Sequence, residues 1–290
     1  MGHGPGSLFY CFIAHSTFLM TAQEFIRAGD LDSALHSLRE AIKNDPSDYK
    51  LRIFLFQLLC VNGSWDKALT QLNLVGDIGP DCKLLAQIFL PVIQCEALRA
   101  EVFAGKRSPL IFGEPQEWIG WLVHANSLLA SGNLTEAREL VSKALEAAPA
   151  ISGSINEHDF EWLADADSRL GPVLEAVIDG KYYWVPFNRI SKIHITSPTD
   201  LRDLVWIAAT FTWTNGGESS GLIPVRYAGS EQSPDSAIRL ARRTDWQEVG
   251  EDFFTGLGQR LFSTDQGDYP LLETLVIKFN QPEVTVTPES

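Results

Sequence analysis

One set of residues recurs at a fixed spacing, and that recurrence limits the possible folds more than any other feature. Gly29, Ala34, Leu38, Ala41 and Pro46 return 34 residues later as Gly63, Ala68, Leu72, Val75 and Pro80. They return again as Gly132, Ala137, Val141, Ala144 and Pro149, a further 69 residues on, about two periods. A fixed period of this length marks stacked supersecondary units rather than one irregular core. Each residue type has a physical reason to be there. Glycine adopts the left-handed conformation that closes a helix. The small Ala lets the next helix approach its neighbour, and the aliphatic residues four and seven positions on share its face. Proline stops the second helix.

The flanking residues agree. Asp30, Ser64 and Asn133 each follow the glycine and can accept from free amide groups at a helix start, and Asn133 with Glu136 has the spacing of a capping box. Before the glycines, Leu51, Phe54, Leu55, Leu58 and Leu59 form a helical stripe, as do Trp118, Trp121, Leu122, Leu128 and Leu129. The 34-residue pattern resembles tetratricopeptide repeats. Residues 83–104 read as helical but lack the glycine, with Pro91 kinking or interrupting them, and residues 105–116 read as a loop.

After Pro149 the period disappears. Ser154 with Glu157 reads as a capping box opening a short helix, so residues 151–180 are expected to be an acidic helical linker. From Gly180 the chain shows short β-prone runs at Tyr182–Phe187, Ile190–Thr196, Leu204–Trp213, Leu222–Tyr227, Gln259–Ser263 and Thr274–Phe279. Asn215-Gly216-Gly217 is a hairpin turn, and Ser236–Arg242 a short helix. The expected fold is α+β and multidomain: a tetratricopeptide-like α-α superhelix over 20–150, then a small β-rich domain over 181–280, barrel-like and partly open. Residues 1–19 are expected to be an extension outside the fold, and 281–290 a disordered tail.

The formal charge of -14 and pI near 4.8 disfavour phosphate backbones and anionic lipid as partners. The apolar run Leu8–Leu19 has no preceding cation and is too short to span a bilayer, so no membrane insertion is expected. Cys11, Cys60, Cys82 and Cys95 are scattered and form no CxxC pair, which points to a reducing compartment and no zinc site; Cys60, in an apolar helical run, reads as a buried free thiol.

Chemistry-bearing residues are sparse. Residues 151–180 hold seven acids against one Arg. Asp165 and Asp167 could ligate a divalent metal or act as a carboxylate pair, the basis of an alternative reading as a metal-dependent enzyme or regulator. On a helix, however, residues two apart diverge, so capping or pairing with Arg169 is the simpler role. Trp162, Asp165, Asp167 and Arg169 are the candidate partner-binding residues. The histidines, His158 and His194 among them, assemble no catalytic spacing. Gly256-x-Gly258 lacks the third glycine of a phosphate loop and reads as a turn. Arg239, Arg242 and Arg243 read as a solvated face or a match to the acidic linker, and Trp184, Trp206, Trp213 and Trp246 as packing of the β-domain. No catalytic residue, metal or cofactor is assigned.

Four segments carry a family resemblance: Trp162 to Pro172 with Leu174-Glu175 behind it, Gly180 to Phe187, Pro224-Val225-Arg226-Tyr227, and Gly256 to Arg260. In this order they resemble the ImpE (TagJ, SciE) family, over essentially Met20 to Phe279. The resemblance implies a cytoplasmic, non-catalytic adaptor of a bacterial type VI secretion system. Its implied partners are a helical segment of the contractile sheath's small subunit and the AAA+ ATPase that recycles the sheath.

Overall fold

A computed structural model describes residues 21–280. The expected extension at 1–19, the tail at 281–290 and Cys11 lie outside the described residues. The helical part comprises α1 (residues 21–28), α2 (Leu31–Asn44), α3 (Tyr49–Val61), α4 (Trp65–Gly76), α5 (Pro80–Phe103), α6 (Glu117–Ala130) and α7 (Leu134–Ala147). The three repeat glycines join α1 to α2, α3 to α4 and α6 to α7, with φ of +82°, +63° and +84° at Gly29, Gly63 and Gly132. At each, the following amide reaches back across the turn. Asp30 N–H donates to Phe25 O at 2.8 Å, Ser64 N–H to Leu59 O at 2.9 Å and Asn133 N–H to Leu128 O at 2.9 Å. This closure satisfies carbonyls that the helix end leaves open. Ala34, Ala68, Ala137 and the aliphatic residues of the repeat are all buried.

Two local expectations do not hold. Asp30 caps α2 by accepting from Ser33 N–H at 2.9 Å, but Ser64 and Asn133 make no side-chain cap, and the Asn133/Glu136 box does not form. Their ψ angles, 62° and 66°, are set by closing the preceding helix and fall short of the extended backbone that a capping side chain uses. Pro91 does not interrupt α5, which runs through it. Its ring meets the turn before β6, where a Cβ on Gly180 would lie 3.0 Å away.

The larger correction concerns residues 151–180, which are strands. β2 (Gly153–Ile155) and β3 (His158–Phe160) form a hairpin whose two-residue turn, Asn156-Glu157, has φ of +46° and +72°. Ser154 therefore lies in a strand and starts no helix. β4 (Leu163–Asp165) and β5 (Val173–Ile178) follow, and every residue of β5 is buried. A strand covered on both faces shows no alternation, so its pattern does not announce it.

The loop after α5 contains β1 (Leu110–Ile111), which pairs parallel to β6 (Lys181–Pro186). The remaining strands are β7 (Ile190–Ile195), β8 (Trp206–Trp213), β9 (Glu218–Pro224), β10 (Thr244–Gly250), β11 (Phe253–Gly258), β12 (Leu261–Thr264), β13 (Gly267–Pro270) and β14 (Val276–Phe279). Asn215–Gly217 turns β8 into β9 as a hairpin, which places β9 earlier than expected. The helix α8 spans only Ser236–Arg239; Ala241, at φ +53°, bends the chain away. Gly256 and Gly258 sit in β11, not in a turn.

Nine strands form one sheet in the order β1-β6-β5-β9-β8-β7-β14-β2-β3; β10-β11 and β13-β12-β4 form two smaller ones. The large sheet is open, with β1 and β3 at its ends, so the region is sheet-rich but not a closed barrel. Helices and sheets also share a core. One apolar cluster joins Leu58, Phe89 and Trp118 of the array to Val173, Trp184, Trp206 and Phe253 of the sheet region. Trp206 packs against the helices, with ring centroids 5.7 Å from Trp65 and 6.0 Å from Phe89.

Candidate functional site

The junction between array and sheets is built around charge. Helix α5 presents Glu96 and Arg99, three residues apart and so on one face, and both are buried. Opposite them, β5 supplies Glu175 and β6 supplies Tyr182 and Trp184, which share a face because strand side chains alternate. Glu175 is the hub. Its carboxylate accepts from Arg99 Nε at 2.7 Å, Arg99 Nη2 at 2.9 Å, Tyr182 O–H at 2.5 Å and Arg260 Nη2. Arg260 also donates to Asp165 and, at 3.0 Å, to Pro224 O. Trp184 Nε1–H donates to Tyr182 Oη at 2.8 Å, and Trp206 Nε1–H to Glu96 at 2.7 Å.

A second set is linked to the first. Asp167 accepts from Arg169 Nε at 2.8 Å, Arg169 Nη2 at 2.5 Å and Gly256 N–H at 2.9 Å, while the Arg169 guanidinium lies 4.6 Å from the Phe103 ring centre on α5. Arg226 donates to Val61 O at 2.7 Å and Cys60 O at 3.2 Å, capping the end of α3. Arg242 does the same for α1, through Ile26 O at 2.7 Å and Arg27 O at 2.9 Å. Helix C-termini carry partial negative charge and open carbonyls, so arginine suits them twice over. This corrects the expected match of Arg239, Arg242 and Arg243 to an acidic linker. Arg239 reaches Asn62, and Arg243 pairs with Asp235 and Asp245.

Asp165 and Asp167 are 3% and 0% exposed. They face inward, their oxygens are taken by guanidinium and amide donors, and they offer a partner no surface. Of the four residues expected at a partner site, Trp162 alone stands out from the protein, 41% exposed. Among the described residues, no group of three or more His, Cys, Asp and Glu is arranged to hold a metal ion. Trp184, Trp206 and Trp213 are buried as packing residues, Trp246 is half exposed, and His158 and His194 are at the surface.

Arg260 serves two carboxylates, and their ionisation diverges accordingly. Burial pushes Asp165 up to about 6, because Arg260 is shared and Asp167 lies close. Burial also disfavours the Glu175 anion, but Arg99 and Arg260 together overcome it and hold the group down at about 2. The linkage signs are opposite. Asp165 contributes most when protonated in both states, and that contribution is lost as pH rises through about 6. Glu175 contributes above its ordinary range near 4.5, and this is lost as pH falls through about 2. Denaturation across pH is therefore expected to show maximal stability near the ordinary carboxylate values, 3.8 to 4.5, falling toward 6 as Asp165 ionises and toward 2 as Glu175 is protonated. Asp165→Asn is expected to flatten the decline between 3.8 and about 6.

At the surface beside this network lies a cleft of about 650 Å³. The helix α7 lines one side with Val141 and Leu145, Trp162 stands at another, and Glu251, Asp252 and Phe253 of the β10–β11 turn close it. Leu145, 47% exposed, and Trp162 give it an apolar lip, and Glu139, Glu251 and Asp252 an acidic rim against Arg138. Leucine and tryptophan at this exposure form a coherent patch, the kind that marks an interaction site.

Comparison with known proteins agrees with this architecture. A model of the family described as ImpE protein matches residues 157–278, and one described as tetratricopeptide repeat matches residues 25–88. The type VI secretion system accessory component TagJ of Pseudomonas aeruginosa is 46% identical over 260 residues, covering 90% of this chain and 91% of that protein. The crystal structure of protein VPA1032 from Vibrio parahaemolyticus superposes with a TM-score of 0.81 at 26% identity, over 90% of this chain and 98% of that one. The four segments that carried the sequence resemblance supply Asp165, Asp167, Glu175, Tyr182, Arg226 and Arg260, the residues of the buried network. Glu96 and Arg99 had no such signal beyond two opposite charges three apart in an apolar helix. By the identity and coverage of the TagJ match, the chain belongs to the ImpE/TagJ family of type VI secretion accessory components.

Proposed function

We infer that this chain is a non-catalytic cytoplasmic adaptor that holds a helical segment of the type VI sheath's small subunit and links it to the sheath-recycling AAA+ ATPase. The observation that carries the reading is the cleft beside Trp162 in a member of this accessory family. Its apolar lip suits the aliphatic face of an amphipathic helix, and its acidic rim suits flanking basic residues. An exposed tryptophan is the side chain most often found to dominate such an interface. The buried free thiols Cys60, Cys82 and Cys95 suit a reducing compartment. Among the described residues no helix is long and apolar enough to cross a membrane.

The test is a calorimetric titration of the full chain with the sheath small subunit from the same genome. Micromolar or tighter binding is expected, and Trp162→Ala is expected to weaken it at least tenfold, about 1.4 kcal/mol or more. Trp162 is exposed, so its loss leaves the fold in place. A small subunit that fails to bind the wild-type chain sinks the partner assignment.

A further inference from the structure

A second groove, on the opposite charge footing, lies between α1, α3 and residues 198–204. It encloses about 710 Å³. Gln23, Ile26 and Arg27 of α1 and Lys50, Ile53, Phe54 and Gln57 of α3 line it, at spacings of three, four and seven that put each set on one helix face. Leu201 and Leu204 complete an apolar floor. These are the first helices of their hairpins, and stacked helical repeats use such surfaces to bind extended or helical segments.

Two observations indicate what the groove accepts. The rim carries Arg27 and Lys50, both exposed, and neither side chain makes an ion pair among the described residues. The acid on the facing wall, Asp200, is held by Arg202 at 2.5 Å and by the turn it caps. In a chain of net charge -14 this is a local inversion of sign. Gln57 adds to the lining a side-chain amide that makes no hydrogen bond to another described residue and is open to the groove.

We propose that this groove docks, in trans, an amphipathic segment of a protein partner whose apolar face is flanked by acidic residues. The apolar side chains occupy the floor, carboxylates meet Arg27 and Lys50, and Gln57 is within the lining to hydrogen-bond a polar group of the segment. The chain's own residues 1–20 contain no Asp or Glu, so they leave both rim cations unanswered. The adaptor then has two docking sites of opposite charge preference, one acidic beside Trp162 and one basic here. The second does not depend on the first.

The test is selection from a phage-displayed library of random 16-residue peptides against the full chain carrying Trp162→Ala, which disables the first cleft. Enrichment of sequences with Asp or Glu beside apolar residues three and four apart is expected. Their Kd is expected to rise at least tenfold in the Arg27→Glu/Lys50→Glu double variant, whose substitutions are exposed and leave the fold intact. Enriched peptides that are basic or indifferent to the double reversal overturn the proposal, as does an absence of enrichment. Enrichment that appears only when residues 1–19 are removed assigns the groove to the chain's own N-terminal segment, and equally overturns it.

Discussion

Glu175→Ala is expected to lower the stability of the protein by about 3–5 kcal/mol, the range for breaking a buried ion pair by removing one partner. The loss comes less from the contacts themselves than from what is left behind. Glu175 is fully buried and answers Arg99, Arg260 and Tyr182 together. Without it, two guanidiniums remain in a water-excluded junction with one fewer carboxylate between them, since Asp165 and Glu96 already serve them. A charge so placed costs far more than a missing neutral hydrogen bond. The melting temperature is expected to fall by roughly 10 °C for a chain of this size. Because Arg99 belongs to α5 and Arg260 follows β11, the array and the sheets should also lose their mutual anchoring. Limited proteolysis reads this separately, as faster cleavage between α7 and β2. Glu175→Gln, which keeps the shape and most donors' partners, should cost less. A Glu175→Ala protein as stable as wild type would show that the junction is held by its shared apolar core alone.

Gly258→Ala is the second large effect, and it acts through the backbone. Gly258 has φ of +91°, which an L-residue with a Cβ adopts only with strain. The added Cβ would also lie 2.1 Å from Arg243 O, a main-chain atom pinned in the β10–β11 ladder where Thr244 faces Gly258. A flexible side chain could move aside; a paired carbonyl cannot without breaking the pairing. Strain and overpacking together are expected to cost about 2–5 kcal/mol. Gly258 N–H to Ser230 Oγ at 2.8 Å and Tyr227 N–H to Gly258 O at 3.0 Å would be displaced with it. The fluorescence of Trp246, on β10, reports the hairpin directly. Since Phe253 and Asp252 at the hairpin's turn wall the Trp162 cleft, peptide affinity there should fall along with stability. Gly216→Ala is the control. That glycine also has positive φ, +83°, but its added Cβ meets open space, so only the conformational part of the cost applies.

The contrast between these two glycines shows why a glycine motif is hard to interpret from sequence. Gly256-x-Gly258 looks like a turn, yet both residues sit in a strand. Gly256 lacks a side chain because the Tyr227 ring packs onto it, 2.2 Å from where a Cβ would be. Close approach by a residue about thirty positions away leaves no local signature. The same holds for the acids. Asp165 and Asp167 stand in a stretch that reads as an acidic helical linker, but Arg260, 95 residues further on, draws the first inward, and the β11 amide of Gly256 holds the second. Trp162, five residues before Asp167, remained outside because nothing in the sheets covers it.

The sequence alone determined the repeat turns and the chain's family. A helix end closed at Gly29, Gly63 or Gly132 depends on hydrogen bonds spanning five residues, so its information lies within one short window. Tertiary structure decided which charges are buried. The bonds from Arg99 to Glu175 and from Arg260 to Glu175 span 76 and 85 residues, and no periodicity encodes a pairing at that separation. Burial then removes water as the competing partner, so the same carboxylates that look like a surface patch in the sequence become the ionic core of the junction.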